Sequence, residues 1–171
     1  MSAKLAGLLL IAGGALWSVS AYLRLCRCRI RTLASLALLL ELMQGELQSA
    51  PPPMEQMLEK LGIRLDGDAR RFASAVCAGM GELGKRGFAE IWNTSLRACV
   101  PELGEAERRE LEDLGAVLGR YELSHQLEAI SRCRRFLKQS EERAVSALRE
   151  KKRLALGLAL TLSALLGIVL I

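Results

Sequence analysis

The sequence predicts an all-α protein: a helical bundle of about six helices flanked by N- and C-terminal transmembrane helices. Three observations lead there. Leu, Ala, Glu and Arg dominate the 171 residues, and all are good helix formers. No segment alternates apolar and polar residues with the β-branched enrichment of a half-buried strand. Hydrophobic residues make up 51% of the chain but are unevenly placed: residues 5–23 and 154–171 hold no charge, whereas 24–153 hold all 19 acids and 23 of the 24 Lys and Arg. The expected organisation is therefore an anchor over 1–23, a cytoplasmic helical middle domain over 24–153 and a second anchor over 154–171.

The two uncharged runs are 19 and 18 residues long. At about 1.5 Å per residue each reaches roughly 27–28 Å as a helix, close to the ~30 Å of a bilayer core. Lys4, the apolar stretch and Val19-Ser20-Ala21 imitate a cleavable leader. Arg24, Arg27, Arg29 and Arg31 follow at once, and such a cluster resists translocation, which favours an uncleaved anchor. Lys151, Lys152 and Arg153 precede the second run. Both positive flanks thus face the middle domain, and the positive-inside rule puts that domain in the cytoplasm. Near the membrane, the arginines would also touch anionic lipid. Ala155, Ala159, Ser163 and Gly167 recur every fourth residue and form one small-residue stripe, a candidate packing face for a second membrane helix.

Within the middle domain, 31–48 reads as a helix that can continue from the first run, broken by Pro51-Pro52-Pro53 because proline lacks the amide donor. Residues 54–61 make a short helix with Gly62 at the C-cap. Asp66 or Asp68 can cap the next, over about 68–83. Phe88, Ile91, Trp92, Leu96 and Cys99 share one face of a helix over 88–99, ended by Pro101. Another covers 105–118, closed by Gly119. In the last, Leu123, Leu127, Ile130, Arg134, Leu137, Glu141, Ala144 and Leu148 follow a heptad seam interrupted at Arg134 and Glu141, and no breaker separates this helix from the second apolar run.

Motifs for chemistry fail on context. Gly79-Met80-Gly81-Glu82-Leu83-Gly84 matches a dinucleotide fingerprint literally but sits at a helix end with no preceding strand. No Walker lysine motif is present, so the chain is not itself a P-loop ATPase. The five cysteines lack zinc-site spacing, and the reducing cytoplasm would keep them as thiols. His125 is the single histidine, which leaves no histidine-based triad or metal cluster. With acids balancing bases and aromatics at 4%, nothing supports nucleic-acid binding. The expectation is a non-enzymatic protein with no cofactor and no catalytic or metal-ligating residues, working by binding or scaffolding.

Several segments in order resemble one family. Leu42-Met43-Gln44-Gly45-Glu46-Leu47, then Pro53-Met54 and Leu58, resembles a motif of the stage III sporulation protein AB family; Phe88 through Leu96 with Trp92, and Leu118-Gly119 followed by Glu122 and Gln126, resemble two more. Ser49 stands where that family has Tyr, and Glu122 where it has Asp. The resemblance spans nearly the whole chain. It implies a role in endospore formation, in the mother-cell membrane facing the forespore, within the channel complex that joins the two cells. It also implies a middle domain similar to the cytoplasmic domain of the type II secretion inner-membrane platform protein. The partners it implies are a secretion-type ATPase and other membrane proteins of the same complex. Glu46, Pro53, Trp92, Gly119, Glu122 and Gln126 are its candidate contact or motif positions. The alternative is a membrane tether or self-associating scaffold with no ATPase contact.

Overall fold

The computed structural model describes the backbone of residues 2–49, 52–118 and 120–170, and side chains over 23–49, 52–118 and 120–154. Among the described residues there are six α-helices and no β-strand: α1 (Ser2–Ser49), α2 (Met54–Arg64), α3 (Gly67–Gly79), α4 (Phe88–Cys99), α5 (Glu105–Val117) and α6 (Leu123–Leu170), with one 3-10 turn at Met80–Glu82. The chain is all-α as its composition implies. Its ends, however, are not additional helices beside a six-helix bundle. They are the outer parts of α1 and α6, each 48 residues long. The cause is local: no proline or glycine stands between 15 and 44 or between 120 and 156, so nothing terminates either helix.

Among the described residues no helix is long and apolar enough to cross a membrane. The uncharged runs 5–23 and 154–171 lie outside the described side chains apart from Leu23 and Leu154, as do the packing positions Ala155, Ala159, Ser163 and Gly167. The chain divides into two compact units. One is Arg29–Glu141 and the other gathers Met1–Cys28 with Glu142–Ile171.

The core of the Arg29–Glu141 unit is built from helical stripes. Leu33, Leu36, Leu40, Met43 and Leu47 on α1 follow three- and four-residue steps and are buried. They share one cluster with Met57, Leu58 and Leu61 of α2, Phe72 and Val76 of α3, Ile91, Trp92 and Leu96 of α4, Leu111 and Leu114 of α5, and Ile130 and Leu137 of α6. Each such side chain contributes roughly 1.5–3 kcal/mol of burial.

Helix ends show where packing overrides local signals. The Pro53 carbonyl accepts the Met57 amide at 3.1 Å, which opens α2 as proline punctuation predicts. Gly62 does not cap α2; it lies buried inside the helix, which runs to Arg64. Continuing the helix carries the chain past Leu61 to Leu65, and both are buried. Asp66 occupies the N-cap position of α3 without a side-chain capping bond, and Asp68 is bonded elsewhere. α3 stops at Gly79 rather than at 83 and gives way to the 3-10 turn over Met80–Glu82; α4 packs on that glycine, where a Cβ would overlap Cγ2 of Ile91. α4 has the bounds that its apolar spacing predicts, and α5 ends at Val117, one residue before the expected 118. Gly119, the expected stop beyond it, lies outside the described residues. On α6 the seam is buried at Ile130 and Leu137, while Arg134 leaves it for an ion pair with Glu41 at 3.4 Å.

Candidate functional site

The candidate positions fall into three settings rather than one site. Trp92 is at the centre of the core. It is 0% exposed, its indole N–H donates to the Leu111 carbonyl at 2.8 Å, and its ring meets Phe72 edge-on at 4.7 Å. The bond satisfies the indole donor in a dry interior, where an orphaned donor is costly. α5 closes over the indole at Gly115, where a Cβ would overlap the ring. Trp92 is therefore a packing residue that joins α4 to α5, with no surface to offer a partner.

Glu46, near the end of α1, is the anchor for α2. Its carboxylate takes the Lys60 ammonium at 2.7 Å and has Arg64 at 3.9 Å. Lys60 and Arg64 are one turn apart on α2, so a single carboxylate holds that helix at two points. Pro53 sits in the short link between the two helices, exposed and at the N-cap of α2. These two positions shape the α1–α2 corner.

The turn before α6 is the third setting. Gln126 Nε2 donates to the Tyr121 carbonyl at 2.7 Å, and its amide donates to the Glu122 carbonyl at 3.1 Å. Gln126 thus closes the turn through both side chain and backbone. Glu122 stays exposed, and among the described residues its carboxylate has no hydrogen-bond or ion-pair partner. Tyr121 and His125 lie edge-on at 6.5 Å. With Val117, Glu128 and Arg132 they border an open hollow of about 260 Å³. Glu122 is accordingly the candidate most available to another protein.

Polar contacts that the sequence reading missed lie along α1. Arg29 gives its guanidinium to Glu107 at 2.8 Å, and Glu107 is only 5% exposed. The Thr32 hydroxyl, itself buried, donates to Asp68, which also takes Arg71. Burial acts to raise the Asp68 carboxyl, but the bonds from Thr32 and Arg71 outweigh it and hold the group below its ordinary range. The signal was present in the spacing: Glu107 precedes Leu111 and Leu114 on the buried stripe of α5, and Thr32 flanks Leu33 and Leu36 on that of α1. A polar residue on an apolar stripe implies a buried partner.

Among the described residues the cysteines form no disulfide. Burial pushes the Cys133 thiol up to about 12. Among the described residues no group of three or more His, Cys, Asp or Glu could hold a metal ion. Taken together, the arrangement can bind through exposed turns and grooves on a helical frame; among its buried side-chain polar atoms, Asn93 Oδ1 and Arg108 Nε lack a hydrogen-bond partner.

Fold and site thus define an all-α helical bundle protein. The family profile described as stage III sporulation protein AB matches residues 4–171, and the chain belongs to that family. A solved structure of a stage III sporulation protein AB is similar in fold, with a TM-score of 0.64 and 21% identity, covering 71% of this chain and 97% of that one. Comparison with curated proteins gives no match.

Proposed function

We propose that this chain is a non-enzymatic, membrane-anchored component of the channel complex between mother cell and forespore, with its helical unit acting as an adaptor for a cytoplasmic secretion-type ATPase. The observation that carries the reading is the family match over 4–171, which takes in both uncharged ends as well as the bundle. The ends serve as transmembrane anchors, each long enough for a bilayer core. Arginines after the first end and Lys151, Lys152 and Arg153 before the second keep the bundle on the mother-cell cytoplasmic side, where ATP is available. Anionic lipid, other membrane proteins of the complex and the ATPase are the partners. No nucleic acid and no cofactor enter the role.

Sidedness is the first test. The native cysteines are replaced, one cysteine is placed at the exposed Glu105, and intact protoplasts meet an impermeant maleimide. Labelling should require permeabilisation; labelling of intact cells would put the bundle outside and exclude direct ATPase contact. Partner contact is tested at Glu122→Ala, which should reduce capture of the ATPase while leaving the melting temperature unchanged. A variant that unfolds, or one that captures the ATPase as well as the parent, removes Glu122 from the contact.

A further inference from the structure

The outer side of α2 and α3 holds an open groove of about 610 Å³. Glu55, Glu59 and Ile63 recur every fourth residue along α2 and form one edge of it. Arg70 stands on the α3 side. Among the described residues neither carboxylate nor the Arg70 guanidinium has an ion-pair partner. Acids on neighbouring elements are differently placed: Glu46 is bound to Lys60, Glu82 and Glu90 to Arg86, and Glu105 to Arg109. The groove therefore keeps both signs of charge unspent, on opposite walls.

Its floor is small. Gly62, Ser74, Ala78 and Gly81 line it, and a Cβ at Gly81 would meet nothing. Cys77 lines it too, its thiol raised above the ordinary range by burial and then by the nearby Glu55 and Glu59 carboxylates. At the lip stands Ile63, 78% exposed. One exposed aliphatic residue is ordinary; here it borders a recess in which Gly62, Ser74, Ala78 and Gly81 leave space beside Leu58.

A two-fold contact between identical subunits must be self-complementary. This groove satisfies that condition in shape, with an apolar knob beside a small-residue hollow, and in charge, with an acidic wall facing a basic one. We infer that the α2–α3 groove is the contact through which two copies of this chain associate, Ile63 of each entering the floor of the other and Arg70 of each meeting Glu55 and Glu59 of the other. The inference does not depend on the ATPase reading, because its observations concern this surface alone. A partner helix of a different protein, apolar along one stripe, is the rival occupant.

The test uses the full chain in detergent, with its mass followed by light scattering as concentration is raised. The parent should pass from monomer to dimer. Ile63→Lys, Arg70→Glu and the double change Glu55→Arg with Glu59→Arg should each weaken association at least ~10-fold, a loss within the usual range for interface truncations. All three charge reversals in one chain restore opposite signs across the contact and should recover association. Ile63 is exposed, so its lysine variant keeps the parent's helical circular dichroism. Maleimide modification of Cys77 should slow as the parent dimerises. A parent that is monomeric at every concentration overturns the proposal and leaves the groove to a different protein. A dimer that survives Ile63→Lys overturns it too, as does a triple reversal no better than its parts.

Discussion

Gly115 and Trp92 form a matched pair: the missing side chain of one makes room for the indole of the other. Gly115→Ala should destabilise the bundle by about 1–3 kcal/mol, the usual cost of overpacking, although alanine favours helix over glycine by about 1 kcal/mol. Chemical denaturation of the two proteins measures the difference. Asp68 gives a pH-dependent contribution. Its carboxyl is held below the ordinary range in the folded state, so its stabilising effect is present above the unfolded carboxylate value and is lost as pH falls through the folded one. Acid denaturation of Asp68→Asn should therefore show a shallower loss of stability than the parent over that acidic window. Cys133 behaves oppositely, since raising the thiol favours the neutral form. Its contribution is complete below the ordinary thiol value and is lost as pH rises toward about 12. In the native protein it should resist maleimide until denaturant opens the core.

At the scale of elements, α1 is tied at both polar and apolar positions. Arg29 supports a nearly buried carboxylate on α5, so Arg29→Ala should lower stability by about 1–3 kcal/mol, the usual penalty for leaving a buried acceptor unsatisfied. Glu46→Ala should cost less, about 0.2–1 kcal/mol, because Lys60 and Arg64 remain well hydrated. Thermal melts of both variants rank the two ties. Much of this level was legible in the sequence. The bounds of α4 follow from its apolar spacing, and the start of α2 follows from Pro53. The end of α2 did not follow, because Gly62 is a good local stop that burial of Leu65 overrides. In sequence Arg29 reads only as a topology signal, because its partner Glu107 is 78 residues away, beyond any local pattern. The candidate positions were legible as a set but not as roles. Trp92 sits on the apolar face that its spacing marks for the core and fills that core, whereas Gln126, a motif position in sequence, closes a turn.

For the whole molecule, the core cluster among the described residues runs from Leu33 to Leu137, inside the Arg29–Glu141 unit. A fragment of residues 29–141 should therefore fold alone, with a single cooperative transition by circular dichroism and denaturant. A broad, non-cooperative melt would mean that the bundle draws its stability from the terminal parts of α1 and α6. The family match covers those parts as well as the bundle.

The setting of Trp92 also makes the bundle optically self-reporting. The chain has two tryptophans, and the other, Trp17, belongs to the first uncharged run. Replacing Trp17 with Phe leaves a single emitter, sealed in an apolar interior and bonded to a carbonyl of the neighbouring helix. Its emission should be blue-shifted, poorly quenched by acrylamide, and sensitive to any movement of α5 over α4. Binding of a partner to this protein could then be followed without attaching a dye.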